Sequence, residues 1–167
     1  GVIGSRHLNK ERDMQYTRFS ALAACVLISG LVQAEVRVQG PLEYGVFASD
    51  YQDFQEGERV LTRSNQQIEP GDEIPAKLGT KFGVRYSLTG KTATEAPLTL
   101  LYLTPGVITP DGKRHDKYVV TQKLVPGAPQ DVMAFEFTEA HEVVPGEWHF
   151  MVFQDDRKLL EQRFTVR

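Results

Sequence analysis

The chain has 167 residues, a formal net charge of −3 at pH 7 and a single cysteine. Residues 1–34 hold four of its 19 Lys/Arg and two of its 22 Asp/Glu, which leaves 15 and 20 in residues 35–167, a net charge of −5. An acidic segment repels phosphate groups, so nucleic acid and anionic membrane surfaces are excluded as expected partners. Because the cysteine is Cys25, residues 35–167 contain no disulfide, thiol nucleophile or cysteine metal ligand.

The first element along the chain is an uncharged apolar run over residues 19–32, which follows Arg18. This run is shorter than the roughly 20 residues that cross a membrane, and it matches the apolar region of a secretory signal. Val32 and Ala34 are small residues at the positions that a signal peptidase reads. We therefore predict a signal peptide over residues 14–34, cleavage before Glu35, and a periplasmic or secreted product with no stable membrane span. A buried core helix is the alternative interpretation of the apolar run.

Cys25 offers a second processing route, because residues 22–25 (LAAC) match the site at which bacterial lipoproteins are acylated. Only six residues of the run precede Cys25 and seven follow it, whereas the apolar region of a signal has at least about seven residues. We therefore favour cleavage over lipoprotein anchoring. Residues 1–13 precede Met14 and are interpreted as an over-extended or non-native prefix, and residues 35–167 as a single domain.

The rest of the chain consists of short extended runs separated by Gly/Pro turns, with little helical periodicity. The predicted runs are Val36 to Val38, 42–48, Val60 with Leu61, 81–88, 97–104, 118–124, 133–137, 147–153 and 160–166. The predicted turns are 69–72, 89–91, Pro105-Gly106 with 110–112, 126–129, 144–146 and 155–157. About eight strands of this kind predict an all-β fold, an antiparallel β-sandwich.

Three of these runs identify the faces that we expect to form the core. Apolar residues alternate with polar ones along 81–88 and 147–153, and Trp148 lies on the apolar side of the second run. Along 97–104 both faces are apolar, with Leu101 and Leu103 on the second one, which predicts a central strand. Trp148 is therefore predicted to lie in the core.

Several motifs occur in a fixed order along residues 35–167. They are YGVF at 44–47, IPA at 74–76 before Gly79, FGVRY at 82–86, Pro105-Gly106, VPGEW at 144–148 and a final strand over 160–166. In this order the sequence resembles the bacterial domain-of-unknown-function family DUF3859. The resemblance implies a small immunoglobulin-like sandwich, and it implies no reaction and no catalytic residue.

The histidines are the residues from which a metal site or a zinc-protease motif could be built. His141-Glu142 begins like that motif, but Pro145 stands where the second histidine is required, and proline breaks the helix that the motif needs. His115, His141 and His149 are the candidate metal ligands, although we expect solvent-facing side chains at all three. No metal, cofactor or catalytic residue is predicted, because the sequence has no nucleophile elbow and no Gly-rich phosphate loop.

The candidate ligand-binding residues are Tyr51 and Phe54, two aromatic residues in a polar segment predicted to be a loop. Exposed aromatic side chains bind sugars, and exposed apolar patches bind proteins. We therefore predict an exported, non-enzymatic binding or interaction module, whose partner is an envelope protein contacted through a sheet edge or a glycan. Two alternatives stay open. One is a hydrolase-type or metal-dependent enzyme with residues from distant strands, and the other is a structural component of the cell envelope.

Overall fold

Two stacked sheets form the chain described by the structure, a computed structural model that covers residues 35–48, 55–59, 66–92 and 94–167. In chain order the strands are β1 (Arg37–Phe47), β2 (Ile68–Pro70), β3 (Glu73–Ile74), β4 (Lys81–Thr89), β5 (Leu98–Ile108), β6 (Arg114–Gln122), β7 (Asp131–Glu136), β8 (Gly146–Gln154) and β9 (Arg157–Val166), with a 3₁₀ helix at Ala140–Glu142 between β7 and β8. The signal peptide, Cys25, Tyr51, Phe54 and the predicted strand at Val60 and Leu61 lie outside the described residues.

The first sheet, called sheet A, has the strand order β2-β1-β4-β7, and the second, sheet B, has the order β3-β9-β8-β5-β6. All pairs are antiparallel except β3 with β9. The predicted antiparallel β-sandwich is thereby confirmed, and two of the nine strands in the described residues, β2 and β3, were not predicted. The additional strands β2 and β3 are three and two residues long, too short to show an alternating pattern.

Two of the predicted boundaries that differ from the structure fall on β-bulges. The runs expected at 36–38 and 42–48 form the single strand β1, which has a register shift between Gln39 and Glu43. The turn expected at Pro105-Gly106 lies inside β5, where the register shifts between Leu103 and Val107. A bulge tolerates a proline without an N–H group and a glycine with a positive φ, here 120° at Gly106.

The core lies between the sheets and contains a cluster of aromatic rings among aliphatic side chains. The ring centroid of Phe82 is 5.2–5.8 Å from those of Phe137, Trp148, Phe150 and Phe164. Trp148 is fully buried, and its indole N–H donates a 3.0 Å hydrogen bond to the carbonyl oxygen of Val144. The alternation along β4 and β8 therefore predicted the inner faces correctly.

A buried ion pair holds the beginning of β7. Lys91, just after β4, donates hydrogen bonds from Nζ to the Asp131 carboxylate (3.1 Å) and to the carbonyl oxygen of Ala128 (2.7 Å). Both charged side chains are only 5% exposed. A desolvated charge is stable only when it is paired and hydrogen-bonded, so this contact ties the segment before β7 to the end of β4.

Candidate functional site

On one side of the sandwich sheet B extends further than sheet A. The last strand of sheet A on this side is β7, and the last strand of sheet B is β6. In β6, Tyr118 and Val120 are in register with Tyr102 and Leu100 of β5, so they point to the same side as the core residues of β5. Val120 is nevertheless 45% exposed. Within the described part of the chain, sheet A thus leaves the inner face of β6 partly uncovered.

This side of the sandwich forms a groove of about 760 Å³, called the β6/β7 groove. Its lining residues are Gly57, Arg59, Lys81, Leu100, Tyr102, Tyr118, Val120, Gln122, Val132, Ala134, Phe135, Glu136, Thr138 and Glu142. The groove is open along one side, because its walls are the last strands of the two sheets. Its volume lies within the range of ligand-binding clefts, and its lining is partly apolar and partly polar.

The apolar wall of the groove is aromatic and continues into the core. Phe135 has its ring centroid 6.0 Å from that of Tyr102, 5.6 Å from that of Tyr118 and 5.0 Å from that of Trp148. The phenol of Tyr102 donates a 3.1 Å hydrogen bond to the carbonyl oxygen of Ala134. This bond joins β5 to β7 across the sandwich, so the wall is anchored to both sheets.

Two of the charged groups that line the groove, Glu142 and Lys81, take part in local structure. The Glu142 carboxylate accepts hydrogen bonds from the backbone N–H groups of Thr138 and Glu139, at 2.9 and 2.8 Å, and so caps the 3₁₀ helix. Lys81 lies 5.6 Å from the ring centroid of Phe47. Burial lowers the pKa of Lys81, an effect that the Glu136 carboxylate opposes.

The candidate metal ligands predicted from the sequence lie on different elements. His115, on β6, stacks on the Tyr118 ring with 5.4 Å between centroids. His141 lies in the 3₁₀ helix. His149, on β8, has its Nε2 2.8 Å from a carboxylate oxygen of Glu161, and its side chain is 14% exposed. The described residues contain no group of three or more His, Cys, Asp or Glu side chains placed to hold a metal ion.

The residues of the β6/β7 groove were not among the sequence candidates. Tyr118 and Phe135 were assigned to predicted strands, and nothing in a strand pattern shows which strand ends its sheet. One signal was available in the run 117–123, KYVVTQK, where adjacent valines interrupt the alternation between two lysines. Adjacent valines in a strand point to opposite faces, so one of them has to face away from the core.

The two sheets packed over a common aromatic core define an immunoglobulin-like β-sandwich. The chain belongs to the family described as domain of unknown function DUF3859, whose model matches residues 35–166, and the resemblance seen in the sequence is confirmed. An immunoglobulin-like protein from Pseudomonas aeruginosa, known from a crystal structure, is 63% identical with a TM-score of 0.71, and the match covers 81% of this chain and 98% of that one.

A structure of an alkylpurine DNA glycosylase from Pseudomonas fluorescens, bound to DNA with an abasic-site analogue, also matches. It is 17% identical with a TM-score of 0.39, over 80% of this chain and 31% of that one, and a likeness at this level carries no argument. No curated protein matches the sequence. Across the described residues, no helix has the length and apolar character needed to cross a membrane.

Alkaline pH is expected to destabilise the fold through buried tyrosines. Burial raises the pKa of Tyr102 to about 12, and burial also raises the pKa of Tyr86, whereas a tyrosine in an unfolded chain has a pKa of about 10. The neutral phenols therefore contribute stability that is fully present below about pH 10 and is lost as the pH rises towards about 12. Urea unfolding followed by circular dichroism between pH 8 and 12 measures this decline.

The matched control is Tyr102→Phe, which removes one of the two phenols. At neutral pH it is expected to cost about 1 kcal/mol, because the carbonyl oxygen of Ala134 loses its hydrogen bond. Above about pH 10 the variant should lose stability less steeply than the wild type. A variant with the same slope as the wild type would contradict the assignment of this pH dependence to Tyr102.

Proposed function

We propose that residues 35–167 form an exported, non-enzymatic interaction module that binds its partner at the β6/β7 groove. The observation that carries the proposal is the exposed inner face of β6, where Val120 is 45% exposed beside the rings of Tyr118 and Phe135. A contiguous apolar surface left in contact with water favours a binding site. Family membership and the immunoglobulin-like neighbour are consistent with a module of this kind.

The polar groups of the groove support binding rather than catalysis. A general acid or base must reach the substrate with a proton-transferring group, and Glu142 instead holds backbone N–H groups. The described residues that line the groove include no histidine, cysteine or serine. Neither the enzymatic nor the structural alternative is favoured by a specific arrangement of side chains in the described residues.

Site-specific photo-crosslinking in the cell envelope tests the proposal. A photoreactive amino acid at position 120 of the full chain is expected to give a discrete adduct, of a protein or of a glycan. The control position is Lys158 on the outer face of sheet B, where the side chain is 44% exposed. Equal labelling from both positions, or no adduct from position 120, would contradict the groove as the binding site.

Export is part of the same proposal and has its own measurement. The signal peptide predicted over residues 14–34 supports it, and intact-mass analysis of the protein recovered from the envelope is expected to give a chain that begins at Glu35. A diacylated Cys25 at the N-terminus would overturn this cleavage site in favour of lipoprotein anchoring, and a retained signal would overturn export with processing.

A further inference from the structure

We infer that the partner is an extended polypeptide segment with acidic residues six positions apart, which adds as a strand to the free edge of β6. This inference rests on the proposed function, because β6 forms one wall of the β6/β7 groove. The partner is then a protein rather than a glycan, and it binds by strand addition.

The first support is the position of β6 at the end of its sheet. Among the described strands β6 pairs with β5, and it has no neighbour on its other side. Such an edge presents backbone N–H and C=O groups to a strand from another chain. Side chains on the inner side of an added strand would lie beside Tyr118 and Val120 and extend the apolar wall of the groove.

The second support is the apolar surface on both faces of the strand. Val120 on the inner face is 45% exposed and Val119 on the outer face is 56% exposed. Neighbouring side chains on one face of paired strands contribute about 0.2–1 kcal/mol per pair. The alternating apolar residues of an added strand would therefore contact Val120 on the inner face, and the side chains on its other face would lie beside Val119.

The third support is the charge of this edge, which is opposite in sign to that of the domain. Lys117 and Lys123 are both exposed, and neither forms an ion pair with any described residue, although Arg114 on the same strand pairs with Asp116 at 2.8 Å. Six residues of extended chain separate the two lysines by about 20 Å. Carboxylates at the same spacing on an added strand would face both lysines.

The same lysines disfavour a second copy of this chain as the occupant. Antiparallel pairing of two β6 strands centred on Val120 would place Lys117 opposite Lys123 of the other copy, at both ends of the ladder. Like charges directly opposite each other are destabilising. Lysines on an edge strand can also serve only to prevent aggregation of the sheet. The experiment therefore has to distinguish this protective role of Lys117 and Lys123 from recognition of an acidic strand.

Two synthetic ten-residue peptides provide the test with the full chain. Both alternate valine and threonine, but one has glutamate at positions 2 and 8 and the other has lysine there. The glutamate peptide is expected to bind at least tenfold more tightly at low ionic strength, with amide NMR shifts centred on residues 114–122. The preference should shrink as salt screens the charges. The double variant Lys117→Glu/Lys123→Glu should reverse it.

The other outcomes of the peptide and crosslinking experiments distinguish failure of strand addition from failure of the proposed function. Equal binding of the two peptides, or NMR shifts centred elsewhere, overturns the inference. If neither peptide binds while position 120 still crosslinks to a partner, strand addition is wrong and the proposed function stands. If neither peptide binds and position 120 gives no adduct, both fail. Self-association of Lys117→Ala/Lys123→Ala without glutamate-peptide binding to the wild type would show that the lysines only prevent aggregation.

Discussion

Replacement of Trp148 by alanine is expected to lower the free energy of unfolding by about 3–5 kcal/mol, the range for large-to-small substitutions of core aromatic residues. Trp148 is fully buried and contacts the rings of Phe82, Phe135 and Phe137, with centroid distances of 5.0–5.8 Å. The stability of a whole domain is about 5–15 kcal/mol, so the loss is a large fraction of the total. Trp148→Asp should prevent folding, because it buries an unpaired charge at the same place.

Urea unfolding followed by circular dichroism measures the effect, since Trp148 is the only tryptophan in the chain and its fluorescence is lost in the variants. Trp148→Phe is the matched control. It keeps an aromatic ring in the cavity but removes the N–H donor that bonds the carbonyl oxygen of Val144, so it should cost less than alanine. An unfolding midpoint for Trp148→Ala equal to that of the wild type would contradict the place of Trp148 in the core.

Lys91→Met is expected to cost about 3–5 kcal/mol, as for other buried ion pairs that lose one partner. The substitution leaves the Asp131 carboxylate, whose side chain is 5% exposed, without its cation. It also removes the donor to the carbonyl oxygen of Ala128. Because Asp131 begins β7, we expect the groove wall formed by β7 to loosen together with the loss of global stability.

The double variant Lys91→Met/Asp131→Leu separates the loss of an interaction from the burial of an unpaired charge. Replacing both members of a buried pair by apolar residues is often close to neutral, so the double variant should recover much of the stability lost by Lys91→Met. Urea midpoints of the wild type, both single variants and the double variant form the cycle. A double variant as unstable as Lys91→Met would contradict an electrostatic origin of the effect.

A large part of the fold could be predicted from the sequence because a sheet with one buried face requires apolar and polar residues to alternate along its strands. The run at 81–88 shows this pattern, and the residues expected inside, such as Phe82 and Tyr86, are buried. Leu101 and Leu103 made the run at 97–104 apolar on both faces, and β5 does lie between two strands of its sheet. The two leucines are half-buried on the outer face of sheet B, where neighbouring side chains rather than a further layer cover them.

The bulge in β5 could not be predicted in the same way. Pro105-Gly106 favours a turn when local preferences alone are considered. In the folded chain, pairing of β5 with β6 continues on both sides of these residues, from Leu103 with Lys117 to Val107 with His115. Hydrogen bonds to a strand distant in sequence therefore outweigh a local tendency to turn.

By itself the sequence determined the fold class and its family, because alternation and motif order are properties of the linear chain that any stable packing has to satisfy. It also contains the apolar run on which the prediction of export rests. Only the tertiary structure decided where a partner could bind. The β6/β7 groove exists because sheet A ends one strand before sheet B, and strand order within a sheet results from pairing between residues far apart in the chain. Residues of four separate strands, among them Lys81, Tyr102, Tyr118 and Phe135, meet there only after folding.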